Sequence, residues 1–277
     1  MRRYFGLILA LTVLGAFHLS TCLTWNGTPR DAEASLGGRV VVSAPVQLLL
    51  YAGDRFLGAN LEAMRVAVAG AETTVDANAA YLIRAHRVVS QLNACHEDNY
   101  YLGNALLTWG GAQEDGNEVL RRATECRFWD EFPPFFHGVN LFFFQKDPEA
   151  ARRILDIAAE RATDNAAALR KLGIMITAGE IRDDRMALAY LTQEREQSND
   201  PKLREMLGKR AVRLQGLIRL REAQAEFESH FGRSLAHPSE LLRTGILDTF
   251  PTDPLRLGYE FVDGSFQLKE MKLELPK

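Results

Sequence analysis

The chain has 277 residues, 47% of them hydrophobic and 25% charged, with a formal net charge of -3. This length suits one large or two modest domains, and the composition excludes disordered and collagen-like classes. A mildly acidic balance excludes a globally basic nucleic-acid binder, so any basic surface must be local and no nucleic acid is expected as partner.

Arg2 and Arg3 precede a run from Tyr4 to Leu23 that holds no charged residue. At about 1.5 Å of rise per residue a helix of that length crosses about 30 Å of hydrocarbon. Residues 1–25 therefore read as a signal anchor or transmembrane helix. Arginines held on the cytoplasmic side send the remainder across, which in a bacterium means a single-pass inner-membrane protein with a periplasmic body. Three processing outcomes stay open. An uncleaved anchor fits the lack of an A-x-A-like site after the apolar stretch. Lipidation of Cys22 fits Leu19-Ser20-Thr21-Cys22, which resembles a lipobox although Thr21 replaces the usual glycine or alanine. Plain cleavage is the third. Residues 26–43, with Asn26-Gly27, Pro29 and Gly37-Gly38, read as a polar linker.

From Ala44 to Ala69, Leu48, Leu49, Phe56, Leu57, Leu61, Met64 and Val68 recur at helical spacing, which predicts a helix. A second is expected from Val75 to Leu92. Next come paired helices near 97–109 and 115–126, 133–145 and 148–161, then 165–178 and 184–196. Gly110-Gly111, Pro133-Pro134 and Asp147-Pro148 punctuate them, and Pro148 suits a first helical position.

A block recurs through these pairs every 35 residues: Gly103-Asn104-Ala105-Leu106, Gly138-Val139-Asn140-Leu141 and Gly173-Ile174-Met175-Ile176. Leu120 with Ala123 is echoed by Leu155 with Ala158, and Gly58-Ala59-Asn60-Leu61 is an earlier relative of the block. A fixed period near 34 residues, with glycine where two helices approach closely, indicates stacked helix pairs. The expected fold is mainly α.

A long helix from Pro201 to Phe231 closes the array and defines a capping segment, residues 201–232. Its stripe of Leu203, Leu207, Ala211, Leu214, Ile218 and Ala225 should face the core. It also carries Lys202, Arg204, Lys209, Arg210, Arg213, Arg219 and Arg221, either as a solvated face or as a contact for anionic lipid headgroups or an acidic partner. In the tail, residues 233–277, Asp263-Gly264 between Tyr259, Phe261, Phe266 and Leu268 signals a tight hairpin.

Cys95 precedes one predicted helix and Cys126 ends its antiparallel partner, so the two suit a disulfide in an oxidising compartment, with two buried thiols as the alternative. Phe128, Trp129, Phe132, Phe135, Phe136, Phe142, Phe143 and Phe144 crowd one stretch of a chain that is 9% aromatic. Most can fill the core, but three consecutive phenylalanines cannot all face it, and aromatic anchors dominate interface energetics. Tyr100, Tyr101, Trp129, Phe135, Phe136 and Phe143 are therefore the candidate partner-binding residues. His96-Glu97-Asp98 reads as a helix N-terminus whose carboxylates complement the dipole. No G-x-S-x-G, H-E-x-x-H, phosphate loop or dinucleotide fingerprint occurs, and the histidines show no ligand spacing. No catalytic residue, metal, cofactor or small-molecule substrate is expected.

On its period, its small residues at the helix crossing (Gly103, Gly138, Gly173; Ala123, Ala158) and its prolines, the section from about 45 to 200 resembles the tetratricopeptide-repeat superfamily. The resemblance implies a short right-handed α-solenoid over residues 44–200 that binds protein or peptide in a concave groove. From Pro238 onward, Pro238-Ser239-Glu240-Leu241-Leu242, Thr244-Gly245-Ile246-Leu247, Pro251-Thr252-Asp253-Pro254 and Gly258-Tyr259 are similar to the carboxy-terminal segment of type II secretion pseudopilins. Some of those hold calcium nearby, but no metal site is carried over to Asp248, Asp253 and Asp263. The amino terminus lacks the early glutamate of pilins, so a fibre subunit is not expected.

These readings converge on a noncatalytic, membrane-anchored periplasmic scaffold that binds a protein partner within a bacterial envelope assembly for secretion, pili or exported polymer. A lipoprotein assembly factor is one alternative. An envelope hydrolase or lyase on a helical scaffold is the other, and it requires a pocket with convergent titratable groups.

Overall fold

The computed structural model describes residues 12–21, 40–71 and 79–269. Helices dominate, with one two-stranded antiparallel sheet. Residues 12–21 are helical (α1). Among the described residues no helix is long and apolar enough to cross a membrane. The remainder of the expected span, with Cys22, lies outside them.

The helix expected from Ala44 onward is two helices, α2 (Ala44–Leu50) and α3 (Arg55–Ala71). Its apolar spacing is helical throughout, but Ala52 and Gly53 adopt positive φ of 52° and 87° and turn the chain. Asp54 then restarts it, its carboxylate accepting from the Phe56 and Leu57 N–H groups at 3.0 Å each, as an N-cap does. Helix α4 (Ala79–Leu92) follows; the expected start at Val75 lies outside the described residues.

The regular section is α5 (Glu97–Gly103), continuing into a π-turn at Asn104–Thr108, then α6 (Gln113–Cys126), α7 (Phe132–Phe143), α8 (Pro148–Arg161), α9 (Ala166–Glu180) and α10 (Asp184–Gln197). Each packs on its chain neighbours, most closely α7 on α8 and α8 on α9. Asp147 and Asp183 cap α8 and α10 through Ala150 and Met186 N–H groups.

The crossing glycines do what their spacing predicts in two cases and something else in the third. A Cβ on Gly103 would lie 3.2 Å from Val119 of α6, and one on Gly138 would lie 2.8 Å from Leu155 of α8. Each faces the helix that follows. Gly173 faces backward, to Arg152 and Leu155 of α8. Leu155 is therefore pressed from both sides, and it is wholly buried. Leu120, Ala123 and Ala158 are equally inaccessible.

Helix α11 (Pro201–Phe231) starts on Asp200, which caps Lys202 and Leu203, and stops at Gly232 with φ 62°. Its buried face is Leu203, Leu207, Ala211 and Leu214, then Leu217, Leu220, Ala223 and Phe227. Ala225, expected on that stripe, is exposed, because a stepping of 3 rather than 4 residues in the second half rotates the stripe toward the tail. There α12 (Ser239–Arg243) supplies Leu241, the loop after it Leu247 and β2 (Ser265–Leu268) Phe266 to the same core, with Tyr259 and Phe261 of β1 (Tyr259–Val262) packed against it. The hairpin turns at Asp263-Gly264, both at positive φ, with Val262 paired to Ser265.

The basic row on α11 is not one surface. Arg213 is buried against Asp253, and its Nη2 donates to the Gly258 and Lys269 carbonyls. Arg221 donates to the Phe266 carbonyl and pairs with Asp184, and Lys209 pairs with Glu205 on its own helix. Asp253 also accepts from the Leu255, Leu257 and Gly258 N–H groups. Its Pro-x-Asp-Pro turn is thus locked onto α11.

Candidate functional site

The surface is grooved between α3 and α5 and again between α7 and α9. Its first hollow, of about 900 Å³, has Asn60, Met64 and Ala67 of α3 on one wall and His96, Asp98 and Tyr101 on the other. A second hollow, of about 380 Å³, lies between Phe132 and Phe135 of α7 and Ala168, Leu169 and Leu172 of α9, with Lys171 at its side. Tyr101 lines the first and Phe132 the second, and their ring centroids are 6.2 Å apart. Phe136 completes the ridge, edge-on to Tyr101 at 5.6 Å. Tyr101 and Phe132 remain 37% and 43% exposed, so the ridge is an aromatic surface in water between a first hollow of mixed polarity and a mainly apolar second one.

A polar knot holds the ends of these helices. Cys95 and Cys126 form a disulfide, which joins the start of α5 to the end of α6. Closing a loop of 31 residues removes chain entropy from the unfolded state worth about 3–4 kcal/mol. Arg127 follows directly: it donates to the Cys95 carbonyl, to Glu97 and to Asp130. The other oxygen of Asp130 caps the Phe132 N–H at 2.9 Å. Arg161 of α8 donates to the Arg127 and Asp130 carbonyls. The loop that presents Phe128 and Trp129, and the residue that starts the ridge, are thus fixed from three directions.

The six sequence-predicted binding residues do not form one site. Tyr100 belongs to the core: it is 1% exposed and donates to Asp130 at 3.0 Å. Burial first, then hydrogen bonds with Tyr101 and Asp130, push its phenol above the ordinary tyrosine range. Tyr101, Phe135 and Phe136 meet at the ridge, the last two half-buried. Trp129 packs edge-on against Phe128 at 4.9 Å, under the Arg127 guanidinium. Phe143 lies near the far end of α7 with Trp109, Phe144 and Lys146, in a second cluster. Sequence reasoning missed Phe132 as a ridge member and Trp109 altogether. The repeat itself carried the signal, since Tyr101 and Phe136, and Trp109 and Phe144, are the same one period apart and meet edge to face at 5.6 and 5.0 Å.

Titratable groups line both hollows. His96 occupies the N-cap of α5 without a capping bond. Burial lowers its pKa and the Asp98 charge opposes that shift. Glu97 is held by Arg127. At the second hollow, burial and then the like charge of Arg210 lower the pKa of Lys171. Among the described residues no group of three or more His, Cys, Asp or Glu stands close enough to hold a metal ion. What this arrangement offers chemically is apolar area, two ring faces and charges at the rim, the elements of a recognition surface. No protein-family model, curated protein or solved structure matches this chain.

Proposed function

We propose that this protein is a noncatalytic scaffold of a bacterial envelope assembly, one that serves secretion, pilus or polymer export. In this reading residues 1–25 anchor it in the inner membrane and the body lies in the periplasm. Helices α3 to α10 act as a right-handed solenoid of antiparallel pairs, similar to tetratricopeptide repeats, and α11 with the tail caps it. A protein or peptide partner lies across the groove.

The observation that carries this reading is the Tyr101–Phe132 ridge with a hollow on each side. Ordered aromatic side chains on rigid helix ends lose little conformational entropy on binding, and such anchors dominate interface energy. The disulfide beneath the ridge suits an oxidising compartment.

The test is co-purification of partners from solubilised membranes, quantified for the wild type, for Tyr101→Ala with Phe132→Ala, for Trp129→Ala and for Phe143→Ala. Hot-spot truncation costs about 2 kcal/mol or more, so the ridge variant should lose about thirtyfold in affinity. Trp129→Ala should lose less, and Phe143→Ala should match wild type. Equal recovery from all four, with unchanged thermal midpoints, removes the groove from the proposal.

A further inference from the structure

Helix α3 is arranged with its carboxylate inside and its larger apolar side chains outside. Glu62 is 2% exposed, accepting from Gln47 of α2 at 3.3 Å and paired with Arg65 at 2.9 Å, while its Oε1 has no partner. Its buried neighbours are Ala59, Ala63 and Val66. On the opposite face Leu57, Leu61 and Val68 stand exposed at 45%, 37% and 60%, with Met64 at the edge shared with the first hollow. Steps of 4, 3 and 4 residues put these four on one stripe. The preceding helix leaves Leu49 at 82% and Leu50 at 67%. A helix with an exposed stripe of large apolar side chains and a buried carboxylate fits a nonaqueous exterior, whereas in water this pattern is costly on both faces.

From this arrangement, and resting on the anchored reading above, we infer that the outer face of α2–α3 lies in the headgroup and acyl boundary of the bilayer. Two features favour lipid over a protein. The twenty residues from 24 to 43 are all that separate α2 from the apolar run ending at Leu23, so α2–α3 is the part of the body nearest that run along the chain. Charge also fits. Between residues 40 and 68 the sequence holds only Asp54, Arg55, Glu62 and Arg65. Asp54 caps its helix and Arg65 pairs with the buried Glu62, which leaves Arg55 facing outward over the Phe56 ring at 4.7 Å. An apolar stripe fringed by arginine is how an interfacial helix meets anionic lipid.

The test reconstitutes the full chain in vesicles of phosphatidylcholine and phosphatidylglycerol, with a photoreactive diazirine side chain at position 61, at 68, or at the exposed Arg153 of α8. Lipid adducts at 61 and 68 but not at 153 are expected. If the chain floats with the vesicles but positions 61 and 68 capture a second copy or nothing, the lipid-facing surface is wrong and the anchor stands. If the chain does not float at all, both fail together.

Discussion

The two halves of the described chain solve the same packing problem differently. From Ala167 to Phe266 most buried hydrophobic residues form one continuous cluster, closed by the hairpin on α11. Before it they fall into four smaller clusters. Among the described residues every buried side-chain polar atom without a partner lies between Glu62 and His137, in Glu62, Tyr81, His86 and Asn117 among others. The exposed aromatics of the groove and the outer stripe of α3 lie there too. A polar atom buried without a hydrogen bond destabilises a fold, and so does apolar surface left in water. The amino-terminal half therefore carries the exposed apolar surface and the unpartnered polar atoms, and the carboxy-terminal half carries the continuous core.

The largest expected effect tests that division at Arg213. Its side chain and that of Asp253 are 5% and 3% exposed. Burial works to raise the Asp253 pKa, but N–H donation from Leu255 and Gly258, the charge of Arg213 and donation from Leu257 together hold it below its ordinary value. Arg213→Met leaves that carboxylate buried without its cation, at a cost of about 3–5 kcal/mol. The three tryptophans are Trp25, Trp109 and Trp129, so fluorescence reports the amino-terminal half while circular dichroism reports all helices. In urea the variant should show its dichroism transition moving below the fluorescence transition. Coincident transitions would mean one cooperative unit and would end the comparison.

Acid sharpens it from the other side. His86 is wholly buried, its Nδ1 2.8 Å from Asn99 Oδ1, and the Asn99 amide donates to Ser90 and to the His86 carbonyl. That geometry puts the ring proton on Nδ1 and leaves Nε2 without a partner. Burial, partly opposed by the Asn99 bonds, lowers its pKa to about 4 from 6.5. Burial and Arg121 lower His137 to about 4 as well. Between these values the unfolded chain binds the proton and the folded one does not, so stability falls as pH drops from 6.5 toward 4, by about 3 kcal/mol for His86. Asp253 titrates below its ordinary 3.8, so its contribution is lost only in stronger acid. Measured relative to the intrinsic amide rate at each pH, hydrogen exchange at pH 5 against pH 7 should therefore accelerate in α4 to α7 before α11. Uniform acceleration, or none, rejects this assignment of the weak half.

Much of the helical layout was legible because its signals are local. Asp147-Pro148 and Asp200-Pro201 mark helix starts, and Asp263-Gly264 marks the hairpin, through chemistry confined to a few residues. The break at Ala52 was not legible, since alanine rarely takes a positive φ and the apolar rhythm runs straight through it. Nor was the role of Arg213, one cation in a row of seven, because its partner lies 40 residues away. At the candidate site the sequence identified the aromatic stretch but not its division. Which ring faces water depends on helix rotation and on the π-turn at Asn104–Thr108, and neither is written in spacing alone.

The smallest effect addresses the repeat, whose three glycines look alike in sequence and differ in space. A methyl group on Gly138 would meet Leu155 Cγ at 2.8 Å and the Ala151 carbonyl oxygen at 3.2 Å. The leucine is fully buried and the carbonyl is backbone, so neither yields easily, and Gly138→Ala should cost about 1–3 kcal/mol by overpacking. On Gly173 the nearest atom would be Arg152 Cγ at 3.5 Å, an ordinary contact. Gly173→Ala should then be neutral or stabilise by up to about 1 kcal/mol through helix propensity. Thermal midpoints of the two variants should move in opposite directions or one should stay still. Equal losses would make the two crossings equivalent, and the forward-facing and backward-facing glycines would no longer distinguish the α7–α8 contact from the α8–α9 contact.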